Sequence, residues 1–185
     1  GATRELGGVE PAPYLVVDIG GGSTEFVLGT DRPAHARSVN IGCVRMTERH
    51  RGQSQEIDSA AAVIDIDAAI RTAHSVVPFE QARTLVAVAG SATTVAAMAL
   101  DLPRYDRERI HLTRLTRQQV TQVSDRLLAL TADERRVLPF MHPGRVDVIP
   151  AGALILRRIM DIGAFDTVVV SELDILDGIA WEVAQ

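Results

Sequence analysis

Apolar positions along this chain fall first into short β-branched runs and then into helical spacing. Tyr14–Ile19 is the first run, broken only by Asp18, as expected of a buried strand. A second run, about 23–29, follows three glycines, and a third covers 34–41 after the turn at Asp31-Arg32-Pro33. The short turns between them predict an antiparallel meander. Beyond a polar stretch, Val63, Ile66, Ile70, Ala73 and Val77 recur at steps of 3, 4, 3 and 4, one helical face with Asp58 as N-cap and Pro78 as stop. Residues 84–89 read as a fourth strand that runs into an alanine-rich helix over 91–100. Residues 103–115 read as irregular or weakly extended.

Thr116 and Gln119 form a capping box for a helix whose inner face is Val120, Val123, Leu127 and Leu130, and Thr131 caps a shorter helix. A long helix over about 145–161 buries Ile149, Ala153, Leu156 and Met160, with Gly163 behind it. A fully apolar fifth strand at 167–170 precedes a second capping box, Ser171 with Asp174, and a last helix carrying Leu176, Ile179, Ala180 and Val183. The order β-β-β-α-β-α-α-α-α-β-α predicts an α/β fold. Its sheet is mixed and five-stranded, an antiparallel meander plus parallel βαβ strands, with flanking helices.

Candidate chemistry gathers at the first turn, Asp18-Ile19-Gly20-Gly21-Gly22-Ser23-Thr24-Glu25. An acid inside an apolar strand is costly unless it meets a cation or a donor, which marks Asp18. Gly20, Gly21 and Gly22 remove every Cβ from the turn, so backbone N–H groups can converge on an anion. Ser23 and Thr24 add hydroxyls, and Glu25 returns a second carboxylate. Acid, glycine turn, hydroxyls, acid is an order suited to a phosphate held together with a divalent metal. The plainer alternative is a hairpin with a glycine-rich turn. Three successive glycines exceed what a two-residue turn requires, and the two bracketing acids have no role in one.

A second candidate, Gly90-Ser91-Ala92-Thr93-Thr94, lies where a buried strand turns into a helix, whose N-terminus attracts anions. On its own it reads equally as a capped helix after a tight turn. In a βαβ fold, however, both loops leave the carboxyl ends of strands and can face one crevice. Ser171, Glu172 and Asp174 read as helix capping. Arg45 and Arg49, and Arg104, Arg107 and Arg109, read as solvated surface in preference to substrate contacts. The five histidines lack ligand-like spacing, and Cys43 reads as a small apolar filler.

Composition narrows the classes further. With 185 residues, 46% apolar and 23% charged, the chain has the make-up of an ordinary globular domain with a substantial core. No apolar run approaches the roughly 20 residues of a membrane span, and no signal-peptide pattern opens the chain, so it reads as cytoplasmic with no membrane partner. One cysteine excludes an internal disulfide framework and a cysteine-built metal site. All 19 basic residues are arginine, which excludes a Walker-type loop with its lysine. A net charge of −5 argues against a general nucleic-acid partner.

The string DIGGGSTE at Asp18 to Glu25 resembles the first phosphate loop of the exopolyphosphatase/guanosine pentaphosphate phosphatase (Ppx/GppA) family, within the actin-like superfamily of ribonuclease H-like lobes. Further segments agree in order: NIGCVRMTERH at Asn40, VAGSATTVAAMAL at Val88, RVDVIPAGALIL at Arg145 and SELDILDGIA at Ser171. The resemblance implies hydrolysis of terminal phosphoanhydrides in inorganic polyphosphate or guanosine pentaphosphate (pppGpp) with Mg²⁺ or another divalent cation. Asp18 and Glu25 match the catalytic positions that hold the metal or its water. Gly20, Gly21, Gly22, Ser23 and Thr24 match the phosphate cradle, and Gly90, Ser91, Ala92 and Thr93 the second phosphate-side loop.

In this family the water-activating glutamate and a phosphate-binding arginine belong to a preceding lobe. Glu5 and Glu10 do not stand in that glutamate's context. The expectation is therefore a connector over residues 1–12 from a missing N-terminal lobe, and a second actin-like lobe over 13–185 that alone hydrolyses weakly or not at all. The opening GATREL agrees with a cut upstream, and the GAxALI-type helix together with the end at Gln185 suggests no additional C-terminal HD-type domain, as in shorter members. A lobe parted from its neighbour exposes apolar surface and could pair as a homodimer. Two other readings stay open: a nucleotide-binding lobe of another actin-like ATPase or kinase, and a non-catalytic guanosine-polyphosphate sensor.

Overall fold

The computed structural model of the chain describes residues 10–52 and 56–173. Three strands open it, β1 (Tyr14–Ile19), β2 (Thr24–Gly29) and β3 (Pro33–Val39), followed by helices α1 (Cys43–Arg49) and α2 (Ser59–His74). Strand β4 (Thr84–Val88) feeds α3 (Ala89–Ala99) and the single turn α4 (Arg107–Ile110), then β5 (Thr113–Thr116). Helices α5 (Arg117–Ala129), α6 (Ala132–Arg136) and α7 (Ile149–Ile162) lead to β6 (Thr167–Val170).

The sheet has six strands in the order β3-β2-β1-β4-β6-β5. The meander is antiparallel as expected, β1 with β2 and β2 with β3, whereas β4 joins both β1 and β6 in parallel. The five-stranded expectation is corrected by β5, which pairs antiparallel with β6 inside the segment read as irregular. Its sequence, TRLT, offers one apolar residue, Leu115, so the strand is made by its neighbour rather than by its own pattern.

Alternation along β1 sends Leu15, Val17 and Ile19 to a face covered by helices, where Phe26, Ile66, Ile70, Leu127 and Leu156 complete the main core. Helix α7 runs through the middle of that layer and packs on α1, α2, α3 and α5. The other face carries a smaller cluster of Tyr14, Val86, Val88 and Val169. Strand β4 is buried on both faces, which accounts for its unbroken run TLVAV.

The capping expectations hold: Asp58 accepts from the Ala61 N–H, and Thr116 with Gln119 closes a capping box, as does Thr131 with Glu134. The long helix begins at Ile149 rather than near 145, because Pro143–Arg145 forms a separate 3-10 turn. Helix α1 occupies a stretch to which the sequence pattern gave no element. The connector before residue 10, Asp174 of the Ser171 capping box and the last helix lie outside the described residues.

Candidate active site

The glycine turn closes a β1–β2 hairpin whose last strand pair is Ile19 with Thr24. None of Gly20, Gly21 and Gly22 adopts a left-handed φ, so their role is not to permit a conformation. Their carbonyls explain the loop instead. The Gly20 carbonyl accepts from the Cys43 N–H at 2.9 Å, and the Gly21 carbonyl from the N–H groups of Val44 and Arg45, each at 3.0 Å. The Gly22 carbonyl accepts from Arg45 Nε at 2.6 Å. In a trans peptide the N–H points opposite the carbonyl. With three carbonyls turned to α1, the N–H groups of Gly21, Gly22 and Ser23 therefore point away from it. The backing helix comes this close only because residue 42 is glycine: a Cβ there would lie 2.4 Å from the Gly21 carbonyl atoms.

Asp18 and Glu25 are direct cross-strand partners, so both side chains leave the same face of the sheet. The hydroxyls of Ser23 and Ser38 donate to Glu25 Oε1 at 2.7 and 2.6 Å, which orients the carboxylate; no described residue donates to its Oε2. Two neighbouring carboxylates, one held by second-layer hydroxyls, form an oxygen donor set that fits Mg²⁺, which takes one or two carboxylates and completes its shell with water and phosphate. Thr24 behaves differently from its expected role in the phosphate cradle. Its side chain is fully buried and its hydroxyl donates to the Ile41 carbonyl, tying β2 to the residues that lead into α1.

At the second loop, the chain leaves β4 through Ala89, whose φ of 67° is left-handed, a strained state for a side-chain-bearing residue. Helix α3 then starts with no side-chain cap. Its first N–H groups, including that of Ala92, lie at the positive end of the helix. Gly90 and Ser91 reach the cavity described next; Thr93 is buried, and its hydroxyl turns to the Gly90 carbonyl.

An arginine completes this loop that the sequence pattern did not single out. The guanidinium of Arg145 lies flat on Gly90, where a Cβ would come within 2.4 Å of Nη2, and its Nη1 donates to the Thr94 hydroxyl at 3.0 Å. A cavity of about 240 Å³ joins the two loops, lined by Gly20, Gly21, Gly90, Ser91, Cys43 and Arg145 among others. Against roughly 30 Å³ for a water molecule in the liquid, this has room for a group the size of a hydrated phosphate. A guanidinium pressed against a helix N-terminus puts like charge on like, and an anion between them relieves both.

The remaining arginines divide. Arg45 is not merely solvated, since its Nε holds the glycine loop. Arg49 pairs with Asp65, Arg107 with Glu172 and Arg114 with Glu10. Glu10 also accepts the Tyr14 hydroxyl on its carbonyl, at the end of β1 remote from the glycine turn. A second, larger cavity of about 400 Å³, lined by Tyr105, Phe140, Met141 and His142, shares Arg145 with the first.

The Tyr105 hydroxyl donates to Glu172 Oε1 at 2.6 Å; burial, reinforced by that carboxylate, raises its pKa above the usual 10.0. The neutral phenol is thus favoured by folding. That stabilisation is complete below the ordinary tyrosine range and is lost as pH rises through the raised value. Ultraviolet titration of the chain, which has two tyrosines, should show a late ionisation that disappears in Tyr105→Phe. Loss, in Tyr105→Phe, of an ionisation in the ordinary tyrosine range in place of the late one would refute the contact.

Two loops side by side on a mixed sheet, with paired acids at the first and one cavity between them, belong to an α/β fold of the actin-like class. The profile of the Ppx/GppA phosphatase family matches residues 1–184, and the chain belongs to that family. Exopolyphosphatase 2 of Mycobacterium tuberculosis is 43% identical over 194 residues, spanning 100% of this chain and 59% of that protein. A guanosine-5'-triphosphate,3'-diphosphate pyrophosphatase of Vibrio atlanticus is 30% identical over 176 residues, 91% of this chain and 33% of the relative. Among solved structures, an exopolyphosphatase-like protein superposes with a TM-score of 0.92 at 38% identity, covering 99% of this chain and 63% of its own. The chain thus spans about three fifths of the length of the mycobacterial relative.

Proposed function

We propose that this chain is the second lobe of a magnesium-dependent phosphohydrolase that removes terminal phosphate from inorganic polyphosphate or pppGpp. The observation that carries the reading is the single cavity shared by the two loops, with Arg145 held against the start of α3. Phosphoryl transfer requires positioning and charge neutralisation more than covalent help. The backbone N–H groups of the two loops and the Arg145 guanidinium would bind the terminal phosphates, while Asp18 and Glu25 hold the metal. Mg²⁺ would supply neutralisation of the charge that builds on the leaving phosphate. Gly22 and Ser23 contribute through the backbone. Thr24 and Thr93 keep the loops in shape.

By resemblance to the family, the glutamate that activates the attacking water belongs to the preceding lobe. Glu10, engaged by Arg114 at the remote end of β1, is not in place to do so. The relatives that carry polyphosphatase and pppGpp pyrophosphatase names support both substrates.

The test is phosphate release from polyphosphate and from pppGpp, measured for the purified 185-residue chain and for a form with the N-terminal lobe, beside calorimetric titration of each polyanion. The two-lobe form is expected to turn over at least ~100-fold faster, a factor in the range general-base catalysis contributes, with both forms binding. Comparable turnover by the chain alone would overturn the assignment as a lobe. Absence of binding in both forms would overturn the anion site.

A further inference from the structure

Arg135 on α6 is the bulkiest fully buried side chain among the described residues, 1% exposed, and the chemistry above gives it no task. Burying a guanidinium is costly unless its donors are met. Here they are: Nη1 donates to the carbonyls of Leu127 at 3.1 Å and Leu130 at 2.6 Å, Nε to that of Val146 at 2.8 Å, and Nη2 to Glu56 Oε2 at 2.6 Å. The first two carbonyls end α5, where helices leave acceptors without partners, and an arginine there is an ordinary cap. The bond to Val146 is outside that explanation, because Val146 lies in a different segment and directly follows Arg145.

We propose that Arg135 is a positioning residue for Arg145, acting through the Val146 carbonyl; this rests on the reading of Arg145 as an anion contact. The segment that presents Arg145 is one 3-10 turn, held within itself by the bonds from the Arg145 N–H to the His142 carbonyl and from the Val148 N–H to the Arg145 carbonyl. Neither bond ties the turn to the rest of the fold. Besides the bond from Arg145 itself to Thr94 and the buried Val146 side chain, Arg135 ties the backbone of the turn to the end of α5 and, through Glu56, to the chain just before α2. A displacement of about 1 Å in a contact group costs far more than its length implies. Only a planar fork addresses these partners at once; the point charge of lysine cannot.

The experiment is a double-mutant cycle read by calorimetric titration of tripolyphosphate into the 185-residue chain with Mg²⁺. Arg145→Ala is expected to weaken binding by ~10–100-fold, in line with loss of a charge-assisted contact. Arg135→Lys is expected to weaken it about tenfold when Arg145 is present and less than twofold in Arg145→Ala, while the unfolding midpoint falls equally in both backgrounds. Glu56→Gln, which leaves Arg135 in place, should show the same coupling at roughly threefold and carries the cycle if Arg135→Lys does not fold. Losses in affinity that multiply independently would reduce Arg135 to a helix cap and overturn the proposal. Full affinity in Arg145→Ala would instead overturn the anion-site reading, and the positioning role with it.

Discussion

Asp18→Asn should abolish magnesium-dependent binding of tripolyphosphate, and Glu25→Gln should weaken it severely. The two residues face each other across β1 and β2, so each substitution removes one anionic donor from the same point in space. The neutralisation a bound metal supplies amounts to several kcal/mol, and at 1.4 kcal/mol per tenfold this is about a hundredfold or more in affinity. Asp18→Asn keeps the shape of the side chain, so its effect isolates charge from packing. Titration with and without Mg²⁺ measures the result, and Asp31→Asn, on the exposed turn before β3, serves as the control. A variant that retains the full magnesium dependence of the parent would remove its carboxylate from the site.

The second large effect is expected from Gly42→Val. A Cβ at residue 42 would meet the Gly21 carbonyl carbon and oxygen at 2.4 Å and the Gly22 nitrogen at 2.6 Å. These are backbone atoms of the glycine turn itself, so the conflict cannot be relieved by turning a side chain. Either α1 withdraws and its bonds to the Gly20 and Gly21 carbonyls break, or the turn is pushed out of shape. Overpacking of this kind costs about 1–3 kcal/mol of stability, and binding of tripolyphosphate should be lost with it. Gly90→Ala is the informative comparison. Its Cβ would meet the flexible end of Arg145, which can swing aside, so the fold should persist while the guanidinium is displaced. Denaturant unfolding and titration together check both. An unchanged midpoint and affinity in Gly42→Val would show that α1 does not hold the turn.

What could be read from the sequence, and what could not, divides by the range over which each feature is determined. The strand Tyr14–Ile19, the helix ending before Pro78 and the threonine caps at Thr116 and Thr131 are set by residues within one or two turns of each other. Local pattern therefore finds them. Helix α1 has seven residues, too short for a period to declare itself, and its place follows from the carbonyls of a loop over twenty residues upstream. Strand β5 exists through its pairing with β6.

In the site, DIGGGSTE and the Gly90 turn were legible as two candidate loops, and the βαβ order already placed them on one edge. Arg145 was not: it opens a segment that resembles the family, but its role depends on its partners Gly90 and Thr94, on another helix. Thr24 shows the opposite case. Its hydroxyl is of the right type at the right spacing for a phosphate contact, and only burial reveals that it serves the core instead.

The parallel pairing of β1 with β4, in register as far as Asp18 and Val88, has a mechanical consequence. Both turns are mounted on adjoining rungs of one ladder, about 4.8 Å apart, and cannot separate without unzipping the middle of the sheet. Should the whole protein work by a hinge, they would travel together as one stiff jaw. The gap that changes would then be the one between this jaw and whatever closes against it.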